Sequence, residues 1–260
     1  MLRFAANLSL LWAELPLPER FAAARAAGFT AVEIQFPYEL DLDTLERLLE
    51  ENSQQLVLIN VPAGDLMQGG DGLACVPGRE ADFRDAVTQA LRYARALNVP
   101  VVNLLSGRRP EGLHEDVCEA VLAANLDHAV TRLHAAGITP VLEAINPFDM
   151  PRFLVHSLED MRRLCLRIPH LMMQFDCYHL SRMGEDVVQA LRANLGAIGH
   201  VQFADAPGRH EPGSGRLDFT AIFSLLRDSA YAGYCAAEYK PSRATDDTLG
   251  WWRRWQDDQN

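Results

Sequence analysis

Short apolar and β-branched runs alternate along the chain with longer segments whose apolar positions recur every three or four residues. The short runs predict buried strands and the longer segments predict amphipathic helices. LRFAANLS is followed by LPERFAAARAAGF, an Ala-rich helix stopped at Gly28. AVEIQF precedes the helix DLDTLERLLEEN, and QLVLINVPA precedes a Gly-rich loop and the helix GREADFRDAVTQALRYARALN. VPVVNLLSG pairs with HEDVCEAVLAANLDHAVTRLHAAG, and TPVLEAIN with SLEDMRRLCLRI. In that fifth helix Ser157 suits the N-cap, and Glu159 and Asp160 suit the first turn. LMMQFDCY with EDVVQALRANLG, GHVQFADA with DFTAIFSLLRDSA, and YCAAEYKP with DDTLGWWRRWQ complete the series. Eight such pairs, about 32 residues each, have the size of βαβ crossover units. The alternation predicts a parallel sheet and the count predicts closure: an α/β (β/α)8 TIM barrel, with residues 1–260 as a single domain. A doubly wound open sheet is the alternative, but no G-x-G-x-x-G follows the first strand.

Composition narrows the function classes. The 260 residues carry a formal net charge of -11, which argues against a nucleic-acid partner and suits a small-molecule substrate. Five scattered cysteines without a C-x-x-C pair point to a reducing compartment, the cytoplasm. The apolar start is broken by Asn7, Ser9 and Glu14, so it reads as the first strand and loop rather than an export signal. No apolar stretch approaches the roughly 20 residues of a membrane span, so no membrane partner is expected.

In such a barrel the active site lies at the C-terminal ends of the strands. The predicted ends of strands five to eight each embed one polar side chain in apolar sequence: Glu143, Asp176, Gln202 and Glu238. They recur at about one strand-helix spacing, which would bring them to one rim. Three carboxylates and an amide oxygen in a confined space repel unless a cation joins them. All-oxygen ligation selects a hard divalent ion, Mg²⁺ or Mn²⁺, over zinc. The plainer alternative is a buried hydrogen-bond network with arginine partners.

LEAINPFDMP, QFDCYHLSRM, HVQFADAPGRHEPGSG and EYKP resemble the signature segments of the hydroxypyruvate isomerase family, within the xylose-isomerase-like TIM barrels. The likeness continues through NLSLLWAELPLPERFAAARAAGFTAVEIQFPY and VPAGDLMQGGDGLACVPGREADFR, so it covers nearly the whole chain. It implies an aldose-ketose type isomerase using a divalent metal. Glu143 and Glu238 would be the acid-base pair, and with Asp176 and Gln202 they resemble the family's metal ligands. Ala144 stands where members usually have Pro, and Phe148 where hydroxypyruvate isomerases proper often carry Arg. The second departure makes the chain more similar to the branch described as 2-oxo-tetronate isomerases, which act on a four-carbon sugar acid.

The chemistry this implies is proton transfer between adjacent carbons through an enediolate, either hydroxypyruvate to tartronate semialdehyde or a 2-oxo-tetronate to its 3-oxo isomer. General acid-base catalysis by two carboxylates contributes roughly 10²–10⁴-fold. Around them, His179 follows Asp176 at D-x-x-H spacing and is expected in a loop over the site, bonding a substrate hydroxyl. Arg209, His210 and Lys240 are candidates to neutralise a substrate carboxylate, or are exposed loop cations. His200 and Glu33 point inward, each either a buried network member or a supporting contact. Histidines 114, 128, 134, 156 and 170 fall away from the rim. Phe36 to Tyr38 and the loop Gly64 to Gly78 are placed to cover the site. Trp251, Trp252 and Trp255 share one helical face, serving core packing or a homo-oligomer interface. Rival readings are a ketose 3-epimerase on the same barrel, a DNA-repair endonuclease of the same superfamily, and a non-catalytic sugar-acid binding protein.

Overall fold

Eight short strands close into one parallel barrel in simple sequence order: β1 (Arg3–Asn7), β2 (Ala31–Glu33), β3 (Gln55–Asn60), β4 (Val101–Leu104), β5 (Thr139–Glu143), β6 (Met172–Asp176), β7 (Ile198–Phe203) and β8 (Tyr234–Ala237), with β8 pairing back onto β1. The structure is a computed structural model and describes residues 2–257. The expected barrel is therefore the observed one, and the open-sheet alternative falls. Strands covered on both faces must be apolar nearly throughout, which is why QLVLIN reads as a continuous hydrophobic run and is buried from its second residue on.

Helices return the chain between strands: α1 (Leu17–Ala26), α2 (Leu42–Glu51), α3 (Glu80–Ala96), α4 (Glu115–Ala135), α5 (Leu158–Arg167), α6 (Cys177–Arg182), α7 (Val187–Asn194), α8 (Phe219–Arg227), α9 (Thr245–Thr248) and α10 (Gly250–Asp257). Local chemistry sets their ends. Gly28, at φ +95°, takes the left-handed conformation that ends α1, with Phe29 N–H bonding back to the Ala24 carbonyl at 3.0 Å. Ser157 caps α5 in a capping box: its Oγ accepts from Asp160 N–H at 3.1 Å while Asp160 Oδ2 accepts from Ser157 N–H at 3.2 Å. α2 buries Leu45, Leu48 and Leu49 on one face.

Two elements differ from the sequence expectation. α6 follows β6 with no intervening loop, so Tyr178 and His179 lie on a helix rather than in a loop. The cause is Asp176, which ends the strand and caps the helix, its Oδ1 accepting from Tyr178 N–H at 2.7 Å. The terminal helix is split between Thr248 and Gly250. Its tryptophans pack inward: Trp251 is buried, edge-on to Phe203 at 5.0 Å between ring centroids, and Trp255 meets Phe4 at 5.1 Å. Core packing accounts for this face. Among the described residues, no helix is long and apolar enough to cross a membrane.

Side-chain alternation fills the barrel in layers. Ala5, Ala31, Val57 and Ala236 form a small apolar cluster separate from the main core. Two positions further along three of those strands stand Asn7, Glu33 and Glu238, all buried. A two-residue step keeps the same face, so the interior passes from an apolar plug to a polar layer at the carboxyl ends of the strands.

Candidate active site at the carboxyl ends of the strands

The register sets polar residues beside one another around the rim. Asn7 lies opposite Glu33, Asn60 opposite Asn103, Glu143 opposite Gln174, and Asp176 opposite Gln202. Glu143, Asp176, Gln202 and Glu238 are all at most 5% exposed. Above them opens a cavity of about 400 Å³ whose lining includes the apolar Phe36, Met67 and Ile145 and the charged Glu143, Glu238 and Arg209. Phe36 and part of the Gly64 to Gly78 loop thus reach the cavity, as expected. That loop is held down by Arg108, whose Nη1 donates to the Leu66 carbonyl at 3.0 Å. Gly107 makes the close approach feasible, since a Cβ there would meet the Asp71 carbonyl oxygen at 2.7 Å.

Glu143 and Asp176 come together with His179: one ligand atom from each lies within 4.8 Å of the others. His179 Nε2 is 3.9 Å from Glu143 Oε1 and 3.7 Å from Asp176 Oδ2. The backbone N–H of Asn146 points at His179 Nδ1 at 3.3 Å, so Nδ1 accepts and the neutral ring carries its proton on Nε2, facing the two carboxylates. Glu238 joins the group through Arg209, whose Nη2 lies 2.6 Å from Glu238 Oε2 and 3.9 Å from Asp176 Oδ2. Gln202 sits just beneath, its Oε1 accepting from Gln174 Nε2 at 2.6 Å and its Nε2 donating to Glu33 Oε1 at 2.6 Å. Lys240 is exposed and lines the cavity. His210 is not brought to the cavity, because its Nδ1 engages the Lys240 carbonyl at 2.7 Å.

The loop that carries Arg209 is built around buried Asp205. Its two oxygens accept from the backbone N–H groups of Gly213, Gly215 and Leu217 at 2.8–3.0 Å. The loop thereby folds back over the mouth and aims the Arg209 guanidinium at the carboxylates.

The family-model comparison matches residues 21–255 to the xylose isomerase-like TIM barrel. The hydroxypyruvate isomerase of Escherichia coli (strain K12) is 39% identical over 253 residues, covering 96% of this chain and 98% of that protein. The 2-oxo-tetronate isomerase of Cupriavidus necator is 38% identical, covering 96% and 97%. Among solved structures, one titled AP endonuclease, family 2 from Brucella melitensis superposes with a TM-score of 0.94 at 38% identity, over 98% of this chain and 99% of that one. The chain belongs to the hydroxypyruvate isomerase family. It is an isomerase, built on the xylose isomerase-like barrel.

Electrostatics divide the candidate site into proton-holding and proton-releasing groups. Burial, then the nearby Glu238 and Asp176 charges, hold the Glu143 carboxyl well above the usual carboxylate range. Glu238 is pushed up to about 7 by burial, with Arg209 pulling the other way. Asp176 is also raised by burial, against Arg209 and its own backbone hydrogen bonds. Burial, then Arg209 and Arg182, push His179 well below its ordinary value, so it is neutral. Burial would lower the Arg209 guanidinium, but Glu238, Asp176 and Glu143 outweigh it and raise it.

The donor set suits a hard cation. Asp176 Oδ2 is buried without a hydrogen-bond partner, which is costly for a carboxylate oxygen unless positive charge reaches it. Sequence reasoning missed Asn103, Gln174, Gln35 and Asn146. Asn103 and Gln174 donate to Glu143 Oε2 at 2.9 and 3.0 Å, and Gln35 donates to Glu238 Oε1 at 2.8 Å. The signal for Gln174 was present in MMQFD, where it alternates onto the same face as Asp176.

Proposed function

We propose that this isomerase acts on a small 2-oxo sugar acid, hydroxypyruvate or a four-carbon 2-oxo-tetronate, and moves its carbonyl to the neighbouring carbon by proton transfer between Glu143 and Glu238. The observation that carries the reading is a cavity of about 400 Å³ lined by two buried carboxyls of raised proton affinity. General acid-base groups work best when their pKa lies near the working pH, and burial brings Glu238 there. Arg209 and Lys240 on the same rim suit the substrate's carboxylate.

In the forward direction Glu238 removes the proton from the hydroxyl-bearing carbon beside the carbonyl. The electron pair forms the enediolate, and Glu143 returns a proton to the former carbonyl carbon. The hydroxyl proton passes between the two oxygens, so atoms and charge balance. His179 Nε2–H donates to a substrate oxygen from between Glu143 and Asp176. Phe36, Met67 and Ile145 limit water around the enediolate. Glu143, Asp176, Gln202 and Glu238 would hold Mg²⁺ or Mn²⁺, which when bound supplies positive charge for the developing oxyanion.

The name of the Brucella relative, an AP endonuclease, raises a nucleic-acid reading. The formal net charge of -11 and the carboxylates in the cavity wall favour a small-molecule substrate instead. All five cysteines are free thiols, which supports a reducing compartment such as the cytoplasm. The test is incubation in D₂O with Mg²⁺ or Mn²⁺ and a panel of three- to six-carbon oxo-acids and sugars, read by NMR. Deuterium on the carbon beside a moved carbonyl supports the proposal. Inversion at C3 without carbonyl movement identifies an epimerase, and binding without exchange identifies a sugar-acid binding protein.

A further inference from the structure

Beneath the cavity a chain of side-chain hydrogen bonds runs from one glutamate of the proposed pair to the other. Asn7 Nδ2 donates to Glu238 Oε1 at 3.0 Å and to Glu33 Oε1 at 2.7 Å. Gln202 Nε2 donates to the same Glu33 oxygen at 2.6 Å, and Gln202 Oε1 accepts from Gln174 Nε2, which also donates to Glu143 Oε2 at 3.0 Å. Glu33 is fully buried, and its other oxygen lies 2.7 Å from His200 Nε2. The proposed proton transfer gives this carboxylate no task.

The contacts of its Oε1 dictate the order of atoms around it. A carboxyl oxygen that already accepts from one amide must be met by the NH₂ of any second amide beside it. Asn7 meets this condition independently, because the Ser9 backbone N–H donates to its Oδ1 at 2.9 Å and leaves Nδ2 for Glu33. Gln202 has no such backbone tether. Reversing its amide would set two acceptor oxygens against each other at 2.6 Å, with no hydrogen between them. Glu33 therefore forces the Gln202 carbonyl oxygen away from itself, toward the side where Gln174 and Glu143 stand.

We infer that Glu33 is a positioning residue that fixes the amide sense of Gln202, so that an oxygen rather than an NH₂ is offered to the divalent cation. The inference rests on the metal reading of the proposed function. Partners of this kind, which orient a ligand without touching the metal, change affinity by roughly 10–100-fold when removed. Glu33 acts through Gln202 alone in this respect, so its effect should vanish once Gln202 is gone.

The experiment measures Mn²⁺ affinity of the metal-stripped full-length protein by electron paramagnetic resonance, with thermal midpoints of the metal-free forms reporting the fold. E33M removes the acceptor at similar size and should weaken Mn²⁺ binding about 10–100-fold. E33Q should stay within a few-fold of wild type. Its amide oxygen can accept from Asn7 and Gln202, and its NH₂ can donate to His200 Nε2 once the imidazole proton moves to Nδ1, which has no partner. In a Q202M background, E33M should cause no further loss. E33M within about threefold of wild type, or an equal loss with and without Gln202, overturns the inference while leaving metal binding intact. If E33M does not fold, E33D, which withdraws the acceptor by one methylene, must weaken Mn²⁺ binding or the inference fails. A wild-type protein that takes up no Mn²⁺ overturns the metal reading and this inference with it.

Discussion

Replacing Glu143 by Gln isolates its proton from its shape. Glu143 Oε2 accepts from Asn103 Nδ2 at 2.9 Å and Gln174 Nε2 at 3.0 Å, and an amide oxygen can accept both. The new NH₂ would face His179 Nε2, now 3.9 Å from Oε1, too far for a steric conflict. Removing the carboxyl also removes the repulsion from Glu238 and Asp176 that, after burial, holds Glu143 above the usual carboxylate range. The fold should therefore keep its stability, and each kcal/mol of error in that statement would show as a shift of about 2–4 °C in a chain of this size. Turnover should fall by at least the general-acid contribution, about 10²–10⁴-fold, or about 3–5 kcal/mol of transition-state stabilisation. The assay is deuterium incorporation beside the carbonyl under saturating Mn²⁺, with the Mn²⁺ affinity of the variant measured separately. Turnover within about tenfold of wild type would refute proton transfer by Glu143. A collapse of the thermal midpoint in parallel would refute the claim that its role is separable from the fold.

Three further outcomes are expected. Glu238 binds its proton more tightly in the folded chain, at about 7, than the ordinary carboxylate does near 4.3. Its contribution to stability is therefore full below about pH 4, and is lost as pH rises through about 7. In urea titrations of metal-free protein, the advantage of wild type over Glu238→Gln should shrink between pH 5 and 8, and growth would reverse the sign of the argument. EDTA should abolish turnover and Mn²⁺ or Mg²⁺ should restore it, whereas full activity in EDTA would discard the metal role alone. Phe203→Ala empties a fully buried site bounded by Phe4, Phe223 and Trp251, and should cost about 3–5 kcal/mol in denaturant unfolding.

The barrel was legible because its information is local and repeated. Strands such as QLVLIN and VLEAIN announce burial on both faces, and Gly28 and Ser157 mark helix ends by chemistry that needs no tertiary context. The polar residues at strand ends were legible for the same reason, since Glu143 or Asp176 within apolar sequence stands out. What the sequence concealed depends on pairing between distant strands. Gln174 and Asn103 look like ordinary strand residues until the register sets them beside Glu143. His210 looked equivalent to its neighbour Arg209, but Asp205 folds that loop so that only the arginine enters the cavity. The helix α6 was hidden because six residues are too few to show a period.

Asp176 divides its labour between two oxygens: Oδ1 starts α6, and Oδ2 stays without a hydrogen-bond partner. Whatever engages the second oxygen is coupled through one carboxyl carbon to the helix that carries His179. A longer acid cannot serve both ends, because an added methylene either unseats the helix start or moves the free oxygen. Asparagine can hold the helix and present the wrong atom to the cavity. The backbone geometry of this position thus admits a single side chain for the two duties together, and a substitution to asparagine would separate them cleanly.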